Sequence, residues 1–126
     1  MKIYKGIRLN PEQGTASDVE VMVEEKPLKV IISSKPLTHK VYHSPTGFNW
    51  GYGGSGPADL AMSILWDYLG KEPTPELYQE FKNTFVTGWK ERWQITSTEI
   101  KIWIIGKYGK DYFHYLTKTD QSDPRD

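Results

Sequence analysis

A segment near the middle of the chain holds the greatest concentration of groups that could bind a ligand. Residues 44–58, called the glycine-rich segment below, read Ser-Pro-Thr-Gly-Phe-Asn-Trp-Gly-Tyr-Gly-Gly-Ser-Gly-Pro-Ala and contain five of the 11 glycines. Glycine allows positive φ angles and close approach to another molecule. Amides at the start of a helix attract phosphate, and the rings of Phe48, Trp50 and Tyr52 could stack on a nucleobase. The segment therefore predicts a site for a phosphate-containing, base-containing ligand.

The same residues allow a purely structural alternative, in which the glycines make tight turns and the aromatic rings pack between sheet and helices. Residues 51–56 match the string G-x-G-x-x-G, but no parallel strand with an acidic end follows, as a dinucleotide fold requires. Gly56-Pro57-Ala58 lacks the Gly-Lys-Ser/Thr of a phosphate-binding loop, and Ser55 lacks the glycine that a hydrolase elbow has two places after its serine. These three established motifs are therefore excluded.

A second candidate patch is residues 89–93, where Arg92 and a lysine stand between two tryptophans. If this patch folds against the glycine-rich segment, the Arg92 guanidinium could hold a phosphate in a bidentate fork while an indole stacks on the base. The alternative is a surface pair between Arg92 and Glu91, which would contribute little. The predicted ligand-binding residues are Ser44, Thr46, Phe48, Asn49, Trp50, Tyr52, Gly53, Gly54, Ser55 and Arg92.

Other titratable residues give no catalytic or metal-binding set. His39 and His43 are expected on strand-like backbone without a carboxylate nearby, and zinc normally requires three or four protein ligands. Asp59 and Asp67 would lie about 12 Å apart along one helix, too far for two carboxylates to cooperate. Asp59 is expected to stabilise the helix start, where its charge would oppose a phosphate. We therefore expect a non-enzymatic protein with no cofactor and no metal.

The first third of the chain has the pattern of strands. Residues 2–9 and 19–24 alternate apolar and polar side chains, and residues 10–14 between them have turn composition. Residues 30–32 form a short apolar run, and residues 41–43 are expected to close a small antiparallel sheet with one face in water.

Helical spacing begins after residue 56. The first helix is expected to have Pro57 at its first position and to end at Gly70. A second is expected from a Thr74 cap, with an apolar face reaching Trp89, and a third from a capping box that begins at Thr96.

Together these elements predict an α+β fold, with a small N-terminal antiparallel sheet followed by about three helices. The glycine-rich segment is expected at the junction of sheet and helices. We expect a single domain over residues 1–118 and a frayed polar tail over residues 119–126.

Composition narrows the functional class. The chain has 126 residues, no cysteine, and equal numbers of basic and acidic residues, 16 each. A neutral chain is not expected to bind duplex nucleic acid or an anionic membrane. No signal core or apolar stretch of membrane-spanning length is present, so a cytosolic protein is expected. The five tryptophans and eight tyrosines could support a homo-oligomer, since aromatic residues are enriched at interfaces.

Residues 43–61, and with them Phe81, residues 93–96, Glu99 and Trp103, resemble a domain-of-unknown-function family of small proteins from phages and prokaryotes. The resemblance covers most of the second half and implies no established activity. A phage-type protein of this size could sequester a nucleotide signal of bacterial immunity in the cytoplasm of the host. This sponge-like role is the function that we expect. The alternative is an inhibitor that binds a host protein through an exposed aromatic patch.

Overall fold

A computed structural model describes residues 1–9, 19–27, 29–44 and 47–118. Its sheet has four antiparallel strands in the order β3-β2-β1-β4. The strands are β1 (Lys2–Arg8), β2 (Val19–Glu25), β3 (Ser33–Pro36) and β4 (Arg92–Thr96). The helices are α1 (Ser55–Leu69), α2 (Pro75–Thr84), α3 (Ser97–Tyr108) and α4 (Lys110–Thr117), with a 3-10 turn at Val86–Gly88. The predicted α+β fold is confirmed.

Strand β1 lies in the interior of the sheet, between β2 and β4. Its Tyr4 is fully buried, and the Tyr4 hydroxyl donates a hydrogen bond to Asp67 Oδ2 of α1 at 2.8 Å. Burial and then this hydrogen bond to Asp67 raise the pKa of the Tyr4 phenol above its ordinary value. Gly6 follows on the same face because side chains alternate along a strand. The absence of a side chain there leaves room for the Trp93 indole, whose Nε1 would lie 2.4 Å from a Cβ at Gly6.

One expectation about the strands is wrong. Residues 41–43 do not form a strand, because the backbone amides of Tyr42 and His43 donate to the Asp59 carboxylate instead of to a neighbouring strand. The fourth strand is β4, which comes after α2 in the chain. The apolar residues 30–32 precede β3 and are exposed.

Helix α2 ends at Thr84, so Trp89 is not part of it. The spacing of Phe81, Phe85 and Trp89 imitated a helical stripe because Phe85 and Trp89, which follow the helix, pack against the Phe81 ring inside it. The Phe81 ring centroid lies 5.1 Å from that of Phe85 and 6.5 Å from that of Trp89. Aromatic pairs at these distances pack favourably without any helical connection.

The predicted starts of α2 and α3 are confirmed. The Thr74 hydroxyl accepts a hydrogen bond from the Leu77 amide, and Thr96 and Glu99 form both bonds of the capping box. Helix α1 begins at Ser55, two residues before the expected position, and ends at Gly70 with φ 75°. Helix α4 adds to the three helices that were expected. The tail over residues 119–126 and the turn over residues 10–14 lie outside the described residues.

Candidate functional site

The first half of the glycine-rich segment is buried. Trp50 is fully buried, and its Nε1 donates to the Lys90 carbonyl at 2.6 Å. Phe48 is 8% exposed and its ring centroid lies 4.4 Å from that of His39. The buried Ser44 donates its hydroxyl hydrogen bond to the Gly47 carbonyl. These three side chains are packed into the protein interior and are not available to a ligand. The predicted Thr46 lies outside the described residues.

The arginine that contacts this segment is Arg8, at the end of β1. Its Nη2 donates to Asn49 Oδ1 at 2.9 Å and to the Trp50 carbonyl at 2.8 Å. The guanidinium also lies 4.9 Å from the Trp50 ring centroid and pairs with Glu91. Sequence reasoning missed Arg8, although the alternation of β1 places it on the same face as the buried Tyr4. The sequence alone gave no signal for this placement, because the burial of Tyr4 is known only from the fold.

Arg92 lies elsewhere. Segment 86–91 does fold against the glycine-rich segment, since the Gly51 amide donates to the Val86 carbonyl at 3.0 Å. In β4, however, Trp93 faces the helices, so alternation turns Arg92 to the opposite face of the sheet. There it lines a shallow groove of about 600 Å³ with Lys5, Ile7, Glu20, Met22 and Gln94. The structure therefore does not bring Arg92 together with the other predicted residues.

The second half of the segment, residues 51–55, is the part that a ligand could reach. Tyr52 is 49% exposed, and Gly53 and Ser55 are also exposed. The Tyr52 ring covers Gly54, where an added Cβ would come within 2.5 Å of ring atom Cε2. The ring therefore lies beside the first turn of α1.

The positive φ angles of the segment do not fall at Gly53 or Gly54. Among the described glycines of the segment, positive φ occurs at Gly47 (123°) and Gly51 (88°). Gly54 has an extended φ of −136° as the N-cap of α1. A side chain at Gly54 would require the Tyr52 ring to move, whereas its backbone conformation is not strained.

Asp59 is fully buried and holds residues 42–44 in place. Its carboxylate accepts hydrogen bonds from the amides of His43 and Ser44, each at 2.9 Å, and from the Tyr42 amide at 3.3 Å. His39 Nε2 lies 2.9 Å from Asp59 Oδ2. The expectation that His39 has no carboxylate nearby is therefore wrong. The carboxylate therefore holds residues 42–44 and does not cap the start of α1, and the expectation that its charge opposes a phosphate there stays a prediction.

The start of α1 has no charge compensation from its own side chains. Its N-cap Gly54 makes no side-chain hydrogen bond, and no acidic residue lies in its first turn. The first amides of a helix have no partner within the helix and attract negative charge. Ser55 at this position is exposed and adds a hydroxyl group. The amides of Ser55 and Gly56 are therefore not compensated by a capping or acidic side chain of the first turn.

The histidines near the segment have structural partners. His43 Nε2 lies 2.9 Å from the Tyr78 hydroxyl, and burial, followed by the charge of Asp59, raises the pKa of Tyr78. Within the described residues, no group of three or more His, Cys, Asp or Glu side chains could hold a metal ion. A histidine paired with a buried aspartate can serve as a base, and the pair of this kind among the described residues, His39 with Asp59, joins residue 39 to α1.

The exposed aromatic patch needed by the alternative function has no tryptophan in it. All five tryptophans are buried or half-buried, and the exposed aromatic side chains among the described residues are those of Tyr42, Tyr52 and Tyr115.

A separate question is whether a helix could span a membrane. None of the described helices is both long and apolar enough to cross a bilayer.

Fold and site together define a small α+β protein with a glycine-rich segment at the start of its first helix. The chain belongs to a family of unknown function, DUF6166, whose profile matches residues 4–106. The match includes the N-terminal strands, so it extends beyond the second half of the chain. No curated protein and no solved structure matches the chain significantly.

Proposed function

We propose that this protein is a non-enzymatic binding protein that sequesters a phosphate-containing nucleotide. In the proposed site the phosphate binds at the start of α1 and the base stacks on Tyr52. The observation that carries the proposal is the uncapped start of α1 beside the half-exposed Tyr52 ring. An exposed aromatic ring can stack on any nucleobase, and the positive end of a helix favours the negatively charged phosphate.

A comparison of the helix starts supports this location. A helix start carries about half a positive charge. Helices α2 and α3 compensate it with a threonine cap and with Glu76 or Glu99, and α4 has Asp111 in its first turn. Of the four described helices, α1 alone has neither a side-chain cap nor an acid. A bound phosphate would supply the missing negative charge.

Sequestration is proposed rather than turnover because the reactive groups near the site already have structural partners. The Ser44 hydroxyl donates to Gly47, His39 contacts Asp59 and His43 contacts Tyr78. A catalytic nucleophile would need a base directed at it. We extend the proposal to the cytoplasm of a bacterial host, where a phage protein of this kind would remove a nucleotide signal of immunity.

The experiment is a binding measurement with two charge variants. Ser55→Asp places a carboxylate where the phosphate would bind, while an acid at a helix start favours folding. Thr98→Asp is the matched control, because it adds the same charge to the first turn of α3. Each protein is screened by thermal shift against cyclic and linear nucleotides, and each nucleotide found is then titrated calorimetrically.

We expect the wild type to gain stability with at least one nucleotide, by the linkage between binding and folding. Ser55→Asp should lose at least tenfold in affinity and keep its melting temperature, whereas Thr98→Asp should bind as the wild type does. Tyr52→Ala should weaken binding by about fivefold to a hundredfold, as expected for the loss of one stacked base. The proposal fails if no nucleotide binds, or if Ser55→Asp binds as tightly as the wild type.

A further inference from the structure

Strand β4 is an edge of the sheet, and no described strand pairs with its outer side. The Arg8 amide donates to the Glu91 carbonyl, and the register continues with Gly6 opposite Trp93 and Tyr4 opposite Ile95. Antiparallel pairs alternate between bonded and non-bonded positions. The backbone N–H and C=O groups of Arg92 and Gln94 therefore point away from β1. Both residues are exposed, and neither has a hydrogen bond outside the sheet among the described residues.

The opposite edge, β3, is closed to further pairing. The Leu37 amide donates to the Val21 carbonyl, so alternation turns Ser34 and Pro36 away from β2. Pro36 has no N–H to offer a further strand. A short strand with a proline at an outward position is a common protection against edge-to-edge pairing. Of the two edges formed by described strands, β4 is therefore the one that has no proline at an outward position.

We propose that two copies of this chain pair through β4, antiparallel about a two-fold axis at Gln94. In this register each Gln94 lies opposite its own copy and exchanges both backbone hydrogen bonds with it. Arg92 lies opposite Thr96 of the partner subunit. No like charges face each other along the strand, and opposed like charges are what destabilise such pairs. The strand is thus complementary to itself, which a two-fold interface requires.

The ends of β4 set the limits of the pairing. The Thr96 amide donates to Glu99 Oε1 at 3.0 Å, so it is not available to a partner and the ladder stops there. Because β3 is closed by Pro36, a two-fold pair uses the one open edge of each copy. The product is a closed dimer rather than a growing fibre. This inference does not depend on the nucleotide site, since β4 exposes Arg92 and Gln94 on the other face of the sheet.

The test is the mass of the protein in solution over a range of concentrations. Light scattering after gel filtration should give twice the 14.6 kDa of one chain for the wild type. Gln94→Pro removes the N–H that reaches the partner, and proline is tolerated at an edge position that faces solvent. It should weaken the dimer by about tenfold or more through the lost hydrogen bonds. Ser34→Pro, the matched change at the outward position of β3, should leave the dimer intact.

A charge pair keeps the inference falsifiable if a proline variant does not fold. Gln94→Lys and Gln94→Glu should each dimerise more weakly than the wild type, and an equimolar mixture should recover the dimer, because the opposed side chains then attract. The inference is overturned if the wild type is monomeric near 1 mM, as it would be if the edge serves another protein. It is also overturned by assemblies larger than a dimer, or by a mixture that dimerises no better than its components.

Discussion

The Asp59→Asn substitution tests whether the buried carboxylate holds the entrance to the glycine-rich segment. Oδ2 of Asp59 accepts from the Ser44 amide and lies 2.9 Å from His39 Nε2, while Oδ1 accepts from the His43 amide at 2.9 Å. An asparagine has one oxygen and one NH₂ group. Whichever way it is placed, the NH₂ group meets a backbone amide that is itself a donor, and that amide loses its acceptor.

The cost follows from these contacts. A buried donor without a partner costs about 1–3 kcal/mol, and hydrogen bonds to a charged acceptor are worth more than those to a neutral one. Because at least one amide is orphaned and the remaining bonds lose their charge assistance, Asp59→Asn should lower the free energy of unfolding by about 2–4 kcal/mol. Asp67→Asn is the control. Its carboxylate is 23% exposed, so water can replace the lost contacts with Lys2 and Tyr4, and we expect about 1 kcal/mol.

Equilibrium unfolding in urea, followed by tryptophan fluorescence, measures both variants. The five tryptophans are buried or half-buried, so their emission should report on unfolding. The midpoint should fall without a change in slope, which would indicate a loss of stability alone. A cost for Asp59→Asn equal to or below that for Asp67→Asn would refute the reasoning, because it would mean that the amides of residues 42–44 do not depend on the carboxylate.

Three further predictions concern the glycine-rich segment and β1. Gly51→Ala should cost about 1–2 kcal/mol in unfolding experiments, because its φ is 88° and the added Cβ would lie 3.2 Å from the Trp89 carbonyl, whereas Gly53→Ala should be nearly neutral. Arg8→Lys should lower the free energy of unfolding by about 1–2 kcal/mol, because lysine cannot reproduce the guanidinium hydrogen bonds to Asn49 and Trp50. Arg92→Lys should leave it unchanged, and equal effects of the two substitutions would contradict the placement of the two arginines. The raised pKa of Tyr4 gives a stabilisation that is complete below the unfolded pKa of about 10 and is lost as pH rises toward the folded value. The stability of the wild type, measured by urea unfolding at a series of pH values, should therefore decline at alkaline pH, and Tyr4→Phe should flatten that decline.

The features that sequence reasoning predicted well depend on residues close together in the chain. The capping box needs only Thr96 and Glu99, three residues apart, and both of its bonds are present. The Thr74 cap and the glycine stop at Gly70 are equally local. The change from strand-like to helix-like spacing near residue 56 also placed the glycine-rich segment directly before α1. These predictions hold because the local conformational preference and the tertiary fold agree at these residues.

The features that the sequence did not reveal depend on distant partners. Arg8 and Asn49 lie 41 residues apart, and nothing local distinguishes Arg8 from Arg92 as the arginine that contacts the segment. The partners of Asp59 precede it by 15 to 20 residues, so the aspartate looked like a helix-start residue. The aromatic spacing after Phe81 fitted a helix and concealed the turn that leads into β4. In each case tertiary contact overrode a valid local pattern.

The position of β1 between its neighbours has a consequence for synthesis on the ribosome. Its partner β2 is the next strand in the chain, whereas β4 begins at Arg92, opposite Ile7. One side of β1 therefore stays without its neighbour while residues up to Arg92 are made, and contacts of such long sequence separation form slowly. In a nascent chain, or in a product cut before residue 92, the backbone N–H and C=O groups of β1 that would pair with β4 are unpaired and can bind another strand. The last strand to leave the ribosome thus protects the first one from aggregation.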